Sequence, residues 1–285
     1  MNGPFLPRSG VRSLSVVVSS LLLVGLCLAA HLSCARAETK QAVRPAAKPT
    51  PAIAARATTE PTGPGLASYK VKPAYEKAIK QFEIVATTRP SPIGGTVFIG
   101  SSSFTRWKTL EKDEARFKAI NRGFGGSRTD DVLYYAHRLL APLKPTRIVY
   151  YCGTNDLASK RPAATAVANF EAFVTAARQE SPGVEIFFVA ANVTPKRTMF
   201  SSGYRQVNAE VAQWARMVPG VHFIDATVGL VDAKGQPKPE LFVKDGIHLN
   251  DQGYKIWRAN IERALVADQS KALTASHTTP AGSNQ

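Results

Sequence analysis

The chain has 285 residues, and its 36 lysines and arginines against 21 aspartates and glutamates give a formal net charge of +15. The basic residues form neither a dense block nor a strip interleaved with aromatic residues, which argues against a nucleic-acid partner. The excess charge indicates either attraction to an anionic surface or polymer, or a solubilising surface. The sequence has no paired histidines, Cys-x-x-Cys spacing or P-loop, so we predict neither a metal nor a cofactor.

The amino terminus, residues 1–37, has the three parts of a secretory signal. Arg8 and Arg12 give a positive start, an apolar run extends from Leu14 to Ala30, and residues 35–37 form a small-x-small cleavage site. The apolar run is shorter than the roughly 20 residues of a spanning helix. An uncleaved anchor is therefore the weaker interpretation, and we expect no stable membrane span after cleavage. The sequence predicts export, to the periplasm or as a secreted protein.

Cysteine usage is consistent with an exported protein that has no disulfide. Cleavage after Ala37 removes Cys27 and Cys34 and leaves Cys152 alone, so the mature chain cannot form an internal disulfide. Lipoprotein anchoring through Cys34 is a weaker alternative, because His31 stands where an aliphatic residue would be expected. Cys152 lies at the end of a predicted strand, and we expect a buried, unreactive thiol there.

Composition divides the rest of the chain into a linker, one domain and a tail. Residues 38–66 are rich in Ala, Pro and Thr and have almost no large apolar side chains. Such a segment cannot bury enough surface to offset its chain entropy. Residues 269–285 have the same character. We therefore predict a disordered linker over 38–66, one folded domain over 67–268 and a disordered tail over 269–285.

Within the domain, short apolar runs alternate with helical patterns. Strands are predicted at 97–100, 119–121, 147–152, 185–190 and 221–225; helices are predicted at 72–85, after the first strand to about 112, and at 129–140, 163–179, 204–217 and 252–267. Continuous apolar strands that alternate with helices indicate an α/β fold with a parallel sheet covered on both faces. Sites in such sheets lie at the carboxyl ends of the strands, where the polar motifs of this chain also fall.

Ser102 follows the first predicted strand, at a strand-to-helix turn. A serine in this position can expose its hydroxyl and keep its own N–H free, because the first turn of a helix leaves N–H groups unpaired. The hydroxyl is therefore a candidate nucleophile. Two alternatives stay open: serine is a preferred helix cap, and Ser101 and Ser103 are flanking competitors.

Two further polar motifs follow the second and third strands. The glycine-rich loop 121–127 can bring backbone N–H donors close to a ligand, although an ordinary tight turn explains it equally well. It does not have the G-x-G-x-x-G spacing of a dinucleotide site. Asn155, after the third strand, can offer a neutral donor to a developing oxyanion, with an Asx turn or cap as the alternative.

Asp245 and His248 lie three positions apart in a glycine-containing, turn-prone stretch. An imidazole can accept and return a proton, and a nearby carboxylate fixes its tautomer. The alternative is a surface ion pair. The other histidines compete poorly with His248, because they lie in the signal, in a helix, at a strand start and in the tail: His31, His137, His222 and His277.

Taken together, four motifs in this order match a known family. Residues 98–107, 121–127, 153–156 and 245–248 resemble the four blocks of the SGNH hydrolases, also called GDSL esterases and lipases, and the resemblance covers about 72–267. It implies a three-layer α/β/α sandwich around a five-stranded parallel sheet of flavodoxin-like order. It also implies that Ser102 is the nucleophile, His248 the general base and Asp245 its orienting acid. The oxyanion hole would be the N–H groups of Ser102 and Gly126 and the side-chain amide of Asn155.

One position departs from the family pattern. The first block usually reads Gly-Asp-Ser, and here Ser101 occupies the Asp position. Trp107 and the form of the glycine-rich loop resemble members that act on small acyl esters, including acetylated carbohydrates. We expect an exported esterase for short acyl groups, with an acetylated polysaccharide or peptidoglycan among the candidate substrates.

Three alternative functions stay open. A lysophospholipase or thioesterase would need a long apolar groove, for which the sequence shows no insertion after Gly153 or near Asp245. An acyltransferase would use the same residues as a hydrolase. A non-catalytic envelope-binding module would have Ser101 as its only support in the sequence. The oligomeric state is not predicted.

Overall fold

The structure is a computed structural model. It describes Leu66, residues 69–88 and residues 91–277, with side chains up to residue 270. The predicted signal at 1–37 and nearly all of the predicted linker at 38–66 lie outside the described residues, as do the last residues of the tail, 278–285. The bounds of these segments stay predictions.

Five parallel strands form the centre of the domain. They are β1 (Thr96–Gly100), β2 (Ala119–Gly123), β3 (Arg147–Tyr151), β4 (Glu185–Val189) and β5 (Val221–Ile224). Their order in the sheet is β2-β1-β3-β4-β5, and every neighbouring pair is parallel. This is the flavodoxin-like order, in which β2 lies on one side of β1 and all later strands lie on the other. The predicted fold class is confirmed. Gly100 pairs with Gly123 on one side and Tyr151 on the other, so three strands end level.

Helices cover both faces of the sheet. They are α1 (Pro73–Thr88), α2 (Ser102–Arg106), α3 (Leu110–Asp113), α4 (Thr129–Tyr134), α5 (Ala136–Leu140), α6 (Thr154–Ala158), α7 (Ala163–Glu180), α8 (Ser201–Ala215) and α9 (Asp251–His277). One buried cluster includes Ile79, Val132, Phe170 and Val207, from α1, α4, α7 and α8. A second, on the other face, joins α2, α3 and α9 through side chains such as Phe104, Leu110 and Trp257. The strands are buried between these two cores, which explains their continuous apolar character.

The helices differ from the sequence predictions in three places. The helix predicted after β1 is broken at Trp107, whose ψ of 80° leaves the helical range. Its ring packs against Phe98, and its Nε1 donates to Asp113 at 2.7 Å, so tertiary contacts end α2 early. The helix predicted at 129–140 is two helices, because Tyr135 has non-helical ψ and packs edge-to-face on Phe124.

The last helix is longer than predicted. It continues to His277, so residues 269–277 of the predicted disordered tail are helical. The sequence contains neither glycine nor proline between Gly253 and Pro280, so nothing in it stops the helix at residue 267. None of the helices within the described residues is long and apolar enough to cross a membrane.

Candidate active site

The turn that presents Ser102 depends on a glycine at the end of β1. Gly100 has φ +146°, and a Cβ there would lie 2.0 Å from the carbonyl oxygen of Tyr151. Only glycine fits that close approach. The next residue, Ser101, donates its N–H to the same Tyr151 oxygen at 3.1 Å, and α2 then begins at Ser102.

Ser102, His248 and Asp245 form a continuous hydrogen-bonded chain. The Oγ of Ser102 lies 2.8 Å from Nε2 of His248, and Nδ1 of the same ring lies 2.7 Å from Oδ2 of Asp245. Ser102 and His248 are 146 positions apart in the sequence, so the fold brings them together. The side chain of His248 is 12 % exposed and that of Asp245 is 35 % exposed, so the imidazole is largely buried while the carboxylate remains open to solvent.

The carboxylate of Asp245 is held by its own loop. Its Oδ1 accepts the backbone N–H of Ile247 at 2.8 Å and that of His248 at 2.9 Å. Burial alone would raise the pKa of Asp245, but these hydrogen bonds and the His248 ring lower it to about 2. Asp245 is therefore ionised at neutral pH. The guanidinium of Arg106 lies 3.7 Å from Oδ2 but is half-exposed, so it adds little to the stabilisation of the Asp245 carboxylate.

The glycine-rich loop after β2 is attached to the end of β1. The N–H of Phe124 donates to the carbonyl oxygen of Gly100 at 2.9 Å, and the hydroxyl of Ser127 donates to the same oxygen at 3.2 Å. Gly126 has φ +79°, a left-handed conformation that favours glycine. The loop is thus fixed two residues from Ser102, which places the predicted donor Gly126 in the same region.

Asn155 is joined to this loop through its side chain. Its Nδ2 donates to the carbonyl oxygen of Ser127 at 3.0 Å, and its Oδ1 accepts a hydrogen bond from Nη1 of Arg197 at 3.0 Å. The side chain therefore does not form the Asx turn that the sequence left as an alternative. One of the two amide hydrogens of Asn155 is available for a ligand.

The competing nucleophiles are set apart from this arrangement. Ser101 is 2 % exposed, so its side chain is closed to a substrate. Of the three serines, only Ser102 has a hydroxyl that is hydrogen-bonded to His248 in the described contacts. Cys152 is 2 % exposed, and burial raises the pKa of its thiol. The thiol is therefore buried, as predicted, and its lack of reactivity stays a prediction.

The other described histidines lie outside the candidate site. His137 contacts Glu180 at 2.7 Å, and His222 contacts Glu185 at 2.6 Å. Glu185, His222 and Asp268 could offer ligand atoms to a metal ion within 4.8 Å of one another, a grouping the sequence spacing did not reveal. Asp268 already accepts from Arg147 at 2.8 Å, so hydrogen bonds and ion pairing account for the grouping.

A groove of about 1130 Å³ lies beside the candidate site, on the side of Asp245. Arg106 and Tyr254 are among its lining residues, and both contact the candidate site: Arg106 lies 3.7 Å from Asp245, and the hydroxyl of Tyr254 donates to the carbonyl oxygen of Ser103. Seven of its fourteen lining residues carry charge: Arg106, Lys108, Asp113, Glu240, Asp251, Lys255 and Arg258. These charged side chains can bind a polar group in the groove.

Comparison with known proteins identifies the family. The family model described as GDSL-like Lipase/Acylhydrolase matches residues 94–256, more than half of the chain. The chain belongs to this family. It is an enzyme of the GDSL-like hydrolases, as the four sequence motifs implied. A comparison with curated proteins gave no match.

Solved structures of low sequence identity share the fold of this GDSL-like hydrolase. A candidate platelet activating factor from Streptococcus pneumonia is 22% identical, with TM-score 0.60, over 67% of this chain and 92% of its own. A GDSL-like lipase from Bacteroides thetaiotaomicron is 19% identical, with TM-score 0.58, over 67% and 98%. A serine-to-alanine mutant of an acetyl esterase, solved with acetate ion, is 16% identical, with TM-score 0.52, over 62% and 99%.

Sequence reasoning missed two residues that hold the candidate oxyanion donors of this GDSL-like hydrolase. Arg197 contacts Asn155, and the hydroxyl of Tyr75 donates to the carbonyl oxygen of Gly126 at 2.8 Å. Arg197 lies in an irregular segment after β4, and Tyr75 lies on a helix that precedes the sheet. Neither belongs to a recognisable motif, so only the folded structure reveals their contacts.

Proposed function

We propose that the protein is a serine esterase that hydrolyses carboxylic esters through an acyl-enzyme on Ser102. The observation that carries this proposal is the chain of short contacts from Ser102 through His248 to Asp245. A hydroxyl on one imidazole nitrogen and an ionised carboxylate on the other are the parts that nucleophilic acyl transfer requires.

In the first half of the reaction, the hydroxyl of Ser102 attacks the ester carbonyl. His248 takes the serine proton through Nε2 as the oxygen–carbon bond forms. The imidazolium then gives that proton to the leaving alcohol as the tetrahedral intermediate collapses to the acyl-enzyme. Asp245 keeps the Nδ1–H of His248 pointing toward itself and stabilises the charge that develops on the ring.

In the second half, a water molecule replaces the alcohol. His248 removes a proton from the water, and the resulting hydroxide adds to the acyl carbon. The second tetrahedral intermediate expels the oxygen of Ser102, which recovers its proton from His248. The products are the carboxylic acid and the free enzyme, so each cycle consumes one water and needs no cofactor.

The oxyanion of both intermediates would accept hydrogen bonds from the N–H groups of Ser102 and Gly126 and from Nδ2 of Asn155. Two contacts support this assignment. The loop of Gly126 is bonded to the end of β1 at Gly100, and Asn155 is bonded to the same loop. Donors fixed in place before the reaction stabilise developing charge without reorganisation.

For the substrate, we infer a short acyl group on a polar alcohol. The charged lining of the groove beside Arg106 and Tyr254 suits a polar alcohol moiety such as a carbohydrate. The similarity to an acetyl esterase supports a small acyl group. The predicted signal at 1–37 supports action after export, on an acetylated polysaccharide or peptidoglycan.

Hydrolysis of p-nitrophenyl esters of increasing chain length tests this substrate class. We expect kcat/KM to be highest for acetate and to fall with butyrate and palmitate. The Ser102→Ala variant, measured on each ester, corrects for reaction outside the site. A clear preference for palmitate would contradict the short-acyl assignment and favour a lysophospholipase or thioesterase.

A further inference from the structure

The side chain of Asn155 is held from two sides, and only one of them belongs to a family motif. The carbonyl oxygen of Ser127 accepts from Nδ2 at 3.0 Å, and the guanidinium of Arg197 donates to Oδ1 at 3.0 Å. The first contact comes from the glycine-rich loop. The second comes from the segment Pro195–Phe200, which follows β4 in the chain.

We propose that Arg197 is a positioning residue for the oxyanion hole, acting through Asn155. This inference rests on the proposed function. A rotation of the Asn155 amide by half a turn would set Nδ2 against the guanidinium and Oδ1 against the Ser127 carbonyl. Both contacts would be repulsive, because donor would meet donor and acceptor would meet acceptor. Arg197 and Ser127 together therefore allow one amide orientation, which keeps the second amide hydrogen free for the oxyanion.

Arg197 also adds charge to the arrangement. A hydrogen bond from a guanidinium is stronger than one from a neutral donor. It withdraws electron density from Oδ1, which makes the amide N–H of Asn155 a better donor because hydrogen-bonded groups polarise one another. Only the side chain of Asn155 separates the positive charge of Arg197 from the proposed position of the oxyanion.

The backbone around Arg197 is itself tied to the loop of the general base. The N–H of Lys196 donates to the carbonyl oxygen of Gly246 at 2.8 Å, and that of Arg197 donates to Thr194 at 2.9 Å. Gly246 lies between Asp245 and His248, with φ +64°. One short segment thus contacts the base loop through its backbone and the oxyanion donor through its side chain.

A double-mutant cycle on p-nitrophenyl acetate tests this role with the full chain. Asn155→Ala is expected to lower kcat by about 10²–10³-fold, as for loss of one oxyanion donor. Arg197→Met is expected to lower kcat by about 10- to 100-fold, with KM nearly unchanged, because the interaction matters in the transition state. In the Asn155→Ala background, Arg197→Met should change kcat by no more than about two-fold, since the amide that Arg197 positions is gone.

Three controls accompany the cycle. Arg205→Met removes one charge from an exposed position on α8 and should leave kcat unchanged. Arg197→Gln repeats the cycle with a polar side chain, so the test does not depend on one variant, and thermal unfolding verifies that each variant is folded. Ser102→Ala shows whether the activity belongs to the proposed site at all.

The outcomes separate this inference from the proposed function. Equal losses from Arg197→Met in the wild-type and Asn155→Ala backgrounds would overturn the positioning role, as would a rise in KM with unchanged kcat. So would full activity in a folded Arg197→Met variant. Activity that survives Ser102→Ala would instead overturn the proposed function.

Discussion

Replacing His248 by alanine is expected to lower kcat for ester hydrolysis by about 10⁴–10⁶-fold. The variant loses the only described side chain that contacts the hydroxyl of Ser102, so the serine has no acceptor for its proton. The same loss removes the acid that protonates the leaving alcohol. Steady-state rates on p-nitrophenyl acetate, with the acetate product quantified, measure the effect.

His137 provides a matched control for that experiment. Its ring also contacts a carboxylate at 2.7 Å, that of Glu180, but it lies on α5 and outside the candidate site. His137→Ala should keep wild-type kcat. A folded His248→Ala variant that retains kcat within about ten-fold, far less than loss of a general base costs, would remove His248 from the mechanism.

The Asp245→Asn variant is expected to lower kcat by about 10⁴-fold. Its Oδ1 can still accept the N–H groups of Ile247 and His248, so the loop can keep its shape. Its Nδ2, however, must donate to Nδ1 of the imidazole. Nε2 then carries the hydrogen and points a donor at Ser102, so it cannot take the serine proton.

Asp232→Asn is the matched control for loop structure. Asp232 also accepts two backbone N–H groups through one oxygen, from Lys234 and Gln236, both at 2.8 Å. Because the pKa of Asp245 is lowered to about 2, a change of pH around neutrality does not discharge it, and the substitution is needed. Wild-type kcat in a folded Asp245→Asn variant would show that the carboxylate does not set the tautomer.

The sheet could be predicted from the sequence because its strands are buried on both faces. Runs such as 148–152 and 186–190 are continuously apolar, and each is followed by a helical pattern. The positions of Ser102, Gly126 and Asn155 after three successive strands follow from the same alternation, since parallel strands end at one edge. The level ends of β1, β2 and β3 provide the structural basis for that prediction.

Helix boundaries and the supports of the site could not be predicted. The breaks at Trp107 and Tyr135 come from side chains that pack on distant residues, Phe98 and Phe124. The contact of Arg197 with Asn155 depends on the path of an irregular segment, which hydrophobic periodicity does not encode. These features depend on tertiary contacts, whereas the strands follow from local composition.

Ser101, which replaces the usual acid of the first motif, is held at the end of β1 by its backbone. Ser101 is 2 % exposed, and its N–H and carbonyl bond to Tyr151, Phe104 and Thr105. These are backbone contacts, which a change of side chain leaves in place. The contact between Ser102 and His248 is therefore compatible with serine at this position, and the non-catalytic interpretation loses its one argument from sequence.

The nucleophilic role of Ser102 is tested by hydrolysis of p-nitrophenyl acetate with the wild-type chain and with Ser102→Ala, measured side by side. We expect Ser102-dependent turnover, with a kcat loss in the folded variant of about 10⁴–10⁶-fold. Mass spectrometry of the quenched wild-type reaction should find the acetyl group on the peptide that contains Ser102. Equal rates for the two proteins, or a folded wild type without activity on any ester tested, would contradict the role of Ser102 as the nucleophile of an esterase.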